Sequence, residues 1–290
     1  MLLSVIIPTL NAANELPKLL EMLNKQTVRA DEIIVVDSAS EDDTVNICKS
    51  NGSVKLIEIE RKDFDHGKTR DMALRESKGD IVIFLTHDAL PAHELFLDNL
   101  IKPIINDNTI ALSAGRQLPK PDATYMERLV REFNYPEQSR VRSKDDLAEL
   151  GIKTFYCSDV CCAYNKAIYL ELGGFDYPLK TNEDMFYAAK VIHAGYRISY
   201  TADALVYHSH NFTLKEQYIR NYIQGYEIEK RKAFLNAGSY QSEGMKLVRF
   251  VTVGLLKKGH ILSFFRFFFD CCARKLGHSA GIKAYHKEQR

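Results

Sequence analysis

LLSVIIPTLNAANELPKLLEMLNKQTVRADEIIVVDSAS, residues 2–40, reads as a strand, a helix and a second strand in order. Leu2–Ile7 is a short apolar run, Ala13–Lys25 carries helical spacing, and Glu32–Val36 is apolar again. The pattern continues outward. Val54–Ile59 and Asp80–Leu85 read as further strands, with helical stretches over Asp42–Ser50 and Lys68–Ser77. Strands alternating with helices predict an α/β fold with a parallel sheet and helices on both faces. The near-continuous apolar character of SVIIP, EIIVVD and DIVIFL fits strands covered on both sides. Ligands of such sheets bind beyond the carboxyl ends of the strands. The residues there are Pro8-Thr9-Leu10-Asn11, Asp37-Ser38-Ala39-Ser40 and Thr86-His87-Asp88, mainly polar or acidic, as a nucleotide site requires.

The chain has 290 residues, 46% of them apolar, enough for one large domain with an appendage. Its net charge of +1 hides an asymmetry. From Met245 to Arg290 there are 10 Lys/Arg against 2 acids, a balance of +8, which leaves −7 on the preceding residues. A basic, aromatic-rich tail on an acidic body points to an anionic surface met at one end only. None of the six cysteines has C-x-x-C spacing, and Met1 leads into an apolar run without a basic leader. These features predict reduced thiols in a cytosolic protein.

Beyond Ile110 the alternation loosens. Residues 119–151 are charged and hold PKPD and YPE turns, and are expected to form a mobile loop with helices lying over the site. The segment from Gln217 to Arg290 reads as helices. LVRFVTVGLL and ILSFFRFFFDCCA are apolar, but neither reaches the roughly 18 residues a span needs. Phe264, Phe265, Phe267, Phe268 and Phe269 interleave with Arg266 and precede Arg274 and Lys275. This pattern suits a membrane interface, an oligomer contact or a cap on the core.

Several acids fall where chemistry is expected. In GGFDYPLKTNEDMFYAAKVIHAGYRISYTADALVYHSH, residues 173–210, Glu183 and Asp184 begin a helical run and His208 and His210 follow apolar runs at Tyr196–Tyr200 and Ala204–Tyr207. Acids at a helix start also serve its dipole, so a capping role competes with a catalytic one. Asp37 closes the second strand and can accept a hydrogen bond from a ribose hydroxyl or a pyrimidine imide. In DFDHGKTRDMAL, residues 63–74, Gly67 permits close backbone approach, and Lys68 and Arg70 can meet a base carbonyl or a phosphate. Asp88 is a plausible ligand for Mg²⁺ or Mn²⁺ bridging a diphosphate, while His87 is ambiguous.

Taken together, IPTLNAANELPKLLEMLNKQ, EIIVVDSASEDDT, GKTRDMAL, GDIVIFLTHDALP, GGFD and NED resemble a family 2 glycosyltransferase of GT-A (Rossmann-like) fold, in that family's order and spacing. The likeness covers residues 1 to about 215. It is strongest to bacterial polysaccharide rhamnosyltransferases, through Phe64–Asp71, Thr86–Ala89 and Tyr207–Asn211. It implies a GT-A domain over 1–215, with a nucleotide-binding half at 1–110 and an acceptor-binding half at 111–215, and a helical extension over 216–290. Two departures stand out: the family's DxD is reduced to Thr86-His87-Asp88, and its TRN is Thr69-Arg70-Asp71, which bears on the base or sugar contact.

The resemblance also implies roles. Asp184 is the expected base of an inverting transfer, with Glu183 orienting it or the acceptor. Asp88, with His208 or His210, would hold a divalent metal. Thr9, Asn11, Asp37, Ser38, His66, Lys68, Arg70, His87 and Asp88 would bind the donor, and Gly173, Gly174, Phe175 and Asp176 would lie under the acceptor. The expected reaction moves L-rhamnose from dTDP-L-rhamnose to a lipid-linked saccharide at the cytoplasmic membrane face. Rival expectations are a UDP-hexose donor and a non-catalytic nucleotide-binding assembly protein. No nucleic-acid partner is expected; the sequence is compatible with a homo-oligomer and does not fix the oligomeric state.

Overall fold

The computed structural model describes residues 1–235 and 241–290. The helical expectation over 236–240 lies outside the described residues. In chain order the first half runs β1 (Leu3–Thr9), α1 (Leu16–Asn24), β2 (Glu32–Asp37), α2 (Thr44–Ser50), β3 (Val54–Glu58), α3 (His66–Glu76), β4 (Ile81–Leu85), β5 (Leu90–Pro91) and α4 (Phe96–Asn106). Next come β6 (Ile110–Leu118), α5 (Tyr125–Asn134), β7 (Arg140–Arg142), α6 (Leu147–Leu150), β8 (Cys161–Asn165), α7 (Lys166–Glu171), α8 (Glu183–His193) and β9 (Arg197–Tyr207). Four helices finish the chain: α9 (Leu214–Lys230), α10 (Lys232–Leu235), α11 (Gln241–Lys257) and α12 (Ile261–Glu288).

The sheet order is β3-β2-β1-β4-β8-β6-β9-β5, with β7 also on β9. β1 pairs in parallel with both β2 and β4, as the alternating pattern predicts. Beyond the strands of the first half, whose parallel pairing the alternation predicts, the sheet is mixed. β8 runs antiparallel between β4 and β6, while β6 and β9 are parallel. The two apolar runs at 196–200 and 204–207 belong to one strand, β9. Its register on β6 jumps from Gly115 opposite Thr201 to Arg116 opposite Leu205, a bulge that hides the strand in the sequence.

Alternate residues of each strand serve two cores. Ile6, Ile34, Val82 and Phe84 face a core shared with α3, α7 and α8, where Phe84, Tyr164, Tyr169, Phe175 and Tyr187 pack edge to face or tilted. Val5, Ile7, Val35 and Ile83 face a second core against α1 and α4. Every residue of β4 is buried. Each such aliphatic side chain contributes about 1.5–3 kcal/mol of burial, which holds the strand ends, and hence the site, in place.

The tail is built onto this body. α11 covers α5 through a small cluster of Leu129, Val130, Val251, Leu255 and Phe267. α12 lies along α9 so closely that a Cβ on Gly277 or Gly281 would overlap the Tyr218 or Tyr222 carbonyl oxygen. Among the described residues no helix is long and apolar enough to cross a membrane.

Candidate active site

The strand order reverses at β1, whose neighbours are β2 on one side and β4 on the other. A crevice opens at such a switch point. Here it is a cleft of about 950 Å³ at the carboxyl ends of β1 and β4, lined by Thr9, Ser38, His87 and Asp88 among others. The loop predicted over 119–151 supplies α5, which forms one wall with Glu127, Arg131 and Asn134. A second hollow, about 480 Å³, lies by Lys78, Asp80 and Lys166 at the other end of β4 and gathers no comparable set of converging polar groups.

Asp88, His208 and His210 meet in the cleft although 120 residues of chain separate the first two. Their potential ligand atoms lie within 4.8 Å of one another. Each histidine Nε2 is 3.4 Å from Asp88 Oδ2, and the two Nε2 atoms are 3.1 Å apart. His208 Nδ1 donates to Gln117 Oε1 at 2.9 Å, which leaves the Nε2 lone pair facing Asp88 and His210. Burial lowers the pKa of both histidines, that of His210 to about 4, so each is neutral near pH 7 and able to ligate. Burial opposes the Asp88 charge. The imidazoles of His208 and His210 and the Lys120 ammonium around it outweigh that effect and hold this carboxyl below the usual range. One carboxylate oxygen and two imidazole nitrogens suit Mn²⁺ or a similar divalent ion, so the residues fit the expected metal.

A second cluster sits at the start of α8. Glu183 and Asp184 occupy its first turn, where the helix N-terminus favours negative charge. Arg70, from α3, lies 3.1 Å from Glu183 and 3.5 Å from Asp159. Asp184 Oδ2 accepts from the Asp159 backbone N–H at 3.2 Å, and Tyr164 donates to Asp159 Oδ1 at 2.6 Å. Glu183 and Asp159 thus share one guanidinium, and Asp184 joins them through the Asp159 N–H. Burial, then the Glu183 and Asp159 charges, push the Asp184 carboxyl well above its ordinary range. Burial likewise lifts Asp159 to about 7, with Arg70 opposing and Glu183 reinforcing. A carboxylate poised this way is a competent proton acceptor near neutral pH.

The structure sorts the expected residues. Thr9, Ser38, His66, Arg70, His87, Asp88, Glu183, Asp184, His208 and His210 all line the cleft. Asp37 is buried beneath it, and its oxygens accept from Thr9 Oγ1, Ser40 N–H and Ser40 Oγ. Here it shapes the loop after β2. Asn11 is exposed and ties itself to Ser40 and Glu41; Lys68 is exposed away from the cleft. Arg70 lines the cleft while pairing with Glu183 and Asp159. Gly67 admits the backbone of Asp176, whose carbonyl would sit 2.8 Å from a Cβ there, where a ligand had been expected. Asp71 faces the core, bonded to Tyr169 and Arg75. The turn Gly173-Gly174-Phe175-Asp176 does not line the cleft. Phe175 is in the aromatic core, while Lys190 binds the Gly174 carbonyl and Asp176.

Sequence reading missed Asp159, Gln117, Arg131, Arg220 and Arg274, all in the cleft lining. Asp159 lies two residues before β8 and Gln117 is the penultimate residue of β6, two strands the sequence pattern does not mark. A strand assigned at CCAYN would have flagged the Ser158-Asp159 pair before it.

The family description "Glycosyl transferase family 2" matches residues 4–173. The chain is 41% identical over 226 residues to the O-antigen chain rhamnosyltransferase RfbN of Salmonella typhimurium, covering 78% of this chain and 72% of that protein. It is 38% identical to the O-antigen chain rhamnosyltransferase WbaN of Salmonella anatum, over 77% and 70% of the two chains. Among solved structures it resembles the mannosyltransferase PcManGT of Pyrobaculum calidifontis in complex with GDP-Man and Mn²⁺, with TM-score 0.66 and 19% identity over 99% and 88% of the chains. TarS of S. aureus in complex with UDP-GlcNAc gives TM-score 0.57 and 21% identity over 88% and 73%. With Thr9, Ser38, Asp88, Glu183 and Asp184 of the quoted motifs lining one cleft, these likenesses place the chain in glycosyl transferase family 2, as an enzyme of GT-A fold.

Proposed function

We infer that the protein transfers L-rhamnose from dTDP-L-rhamnose, with inversion, to a growing lipid-linked cell-surface polysaccharide. One observation carries the reading. The raised carboxyl of Asp184 and the Asp88–His208–His210 cluster line a single cleft, in a chain 41% identical to an O-antigen rhamnosyltransferase. Inversion needs one base and one in-line displacement. Asp184 takes the proton of the acceptor hydroxyl, that oxygen bonds to the anomeric carbon, and the bond from that carbon to the diphosphate oxygen breaks. Asp159 and Glu183 raise the basicity of Asp184, and Arg70 keeps the three acids together. Asp88, His208 and His210 would hold a divalent ion, which when bound neutralises charge on the leaving diphosphate. Lys120, 3.5 Å from Asp88, adds positive charge at that end.

Ligand stabilisation tests the donor. A ligand at one hundred times its dissociation constant stabilises the folded state by about 2.7 kcal/mol. The melting temperature is expected to rise most with dTDP-rhamnose and Mn²⁺, in a panel of dTDP, UDP and GDP with their sugars. A larger rise with a UDP-sugar would reassign the donor.

Asp159→Asn is expected to move the rising limb of the pH–rate profile to lower pH. The base works when ionised, so rate climbs as pH passes its pKa. Removing a neighbouring negative charge lowers that pKa, and frees more of the Arg70 charge to lower it further. A limb that stays in place while the rate drops would deny Asp159 this role.

The acceptor reading extends to the tail. Leu262 is 87% exposed, and Phe265, Phe268 and Phe269 are each at least 55% exposed on α12, near Lys257 and Lys258. This face suits the surface of an anionic bilayer. Full-length protein is expected to float with anionic vesicles, less so at high salt, because each basic group contributes about 1 kcal/mol that salt screens. Phe265→Ser with Phe268→Ser should release it at either salt concentration. If the unaltered protein stays in the soluble fraction, the membrane reading falls.

A further inference from the structure

The wall of the cleft opposite the β1 end is made partly by the tail: Arg220 and Asn221 of α9 and Arg274 of α12 line it beside Arg131 of α5. Three guanidinium groups from three helices therefore face one cavity. Two are neutralised. Arg131 pairs with Glu127 at 2.7 Å, and Arg274 with Asp270 at 2.5 Å. Among the described residues no carboxylate pairs with Arg220. Its side chain is exposed, and its guanidinium lies 4.4 Å over the ring of Phe212 in the lining of the cleft. Partial burial and the neighbouring Arg274 and Arg131 charges lower its pKa, with Glu127 opposing. A cation held in that position without a counter-charge is stabilised by an anion entering the cleft. Its five fixed donors match phosphate oxygens.

The position is close to the reaction. Phe212 packs on His210, ring to ring at 5.0 Å, and His210 belongs to the candidate metal cluster. Arg266, one helical turn before Asp270 on α12, donates to the Phe212 carbonyl at 2.9 Å and fixes the platform on which Arg220 rests. Nothing in the donor arrangement described above uses these groups, because the diphosphate of the donor is placed at Asp88 and Lys120.

We propose that Arg220, on its Phe212 platform and backed by Arg131 and Arg274, is a phosphate subsite that the C-terminal helices add to the catalytic cleft, taking a substrate diphosphate group. The inference rests on the proposed reaction only for which substrate carries that group. Two can: the nucleotide donor, reaching past the metal cluster, or a lipid diphosphate joined to the acceptor saccharide. The second would let a prenyl chain run toward the exposed phenylalanines of α12. On either source the extension is part of the active site as well as a surface for docking.

The test is calorimetric titration of the full chain with inorganic pyrophosphate, in EDTA and at physiological salt. Pyrophosphate has no base or sugar, so a wrong donor assignment would not affect the result. Arg220→Ala is expected to weaken binding about tenfold to a hundredfold, as loss of a charge-assisted hydrogen bond does, and Arg220→Lys to restore part of it. Arg249→Ala removes an exposed charge from α11 and should change little. Equal affinity in Arg220→Ala and wild type, or an equal loss in Arg249→Ala, would overturn the subsite. Repeating the titration with dTDP and with farnesyl diphosphate names the source, as the ligand whose affinity falls in Arg220→Ala. A fall with neither also overturns the proposal.

Discussion

Asp184→Asn is expected to abolish sugar transfer while leaving donor binding intact. The amide keeps the shape of the side chain and can still accept from the Asp159 N–H, so the loop before β8 should hold. What it loses is the capacity to take a proton. General-base catalysis contributes about 10²–10⁴-fold, so the rate should fall at least a hundredfold with the dissociation constant for the nucleotide little changed. The substitution also removes a buried, mutually repelling carboxylate, so the variant should be no less stable than the wild type near pH 8, where ionised neighbours repel most. Transfer assays beside calorimetric donor titrations separate the effects. Retention of more than about a tenth of the rate would move the base elsewhere, with Asp159 the first alternative on geometry.

Asp88→Ala is expected to weaken nucleotide binding chiefly when divalent metal is present, and to slow transfer strongly. Asp88 is the sole carboxylate of its cluster, and both histidines are neutral near pH 7. Removing it takes away the only charge that attracts a cation there, and leaves Lys120 without its partner. In wild type, dTDP should bind at least about tenfold more tightly with Mn²⁺ than with EDTA, the gain of one or more charge-assisted contacts. In Asp88→Ala the two conditions should converge. Equal affinities in the wild type would show that this cleft does not use a metal for the nucleotide. The cluster would then be a hydrogen-bonded support for the β9 end.

The local code was enough for the nucleotide half. The strands β1, β2 and β4 are near-continuous apolar runs because both faces are covered, while α1 carries an apolar stripe, so period separates strand from helix there. The residues that follow those strands could be named as site residues, because a parallel sheet puts its carboxyl ends at one edge. Thr9, Ser38, His87 and Asp88 duly line the cleft. Glu183 and Asp184 were legible for a related reason: acids at a helix start are locally favoured.

Tertiary structure decided the rest. β8 enters the sheet antiparallel, and β9 is interrupted by a bulge, and neither feature has a periodic signal in one strand alone. The partners of Asp184 are likewise non-local. Arg70 and Asp159 come from α3 and from the loop before β8, and the pKa of a buried acid depends on which charges the fold brings to it. Asp37 and Arg70 show the same dependence. Their types suit a nucleotide, and the folded chain adds partners no local pattern shows: Thr9 and Ser40 for Asp37, Glu183 and Asp159 for Arg70. The sequence by itself determined the family, the parallel half of the sheet and the acids at strand and helix ends, since these follow from short-range spacing. Only the fold decided which charges share a cavity, and so made α9 and α12 a wall of the site, because electrostatic coupling follows distance in space and is blind to distance along the chain.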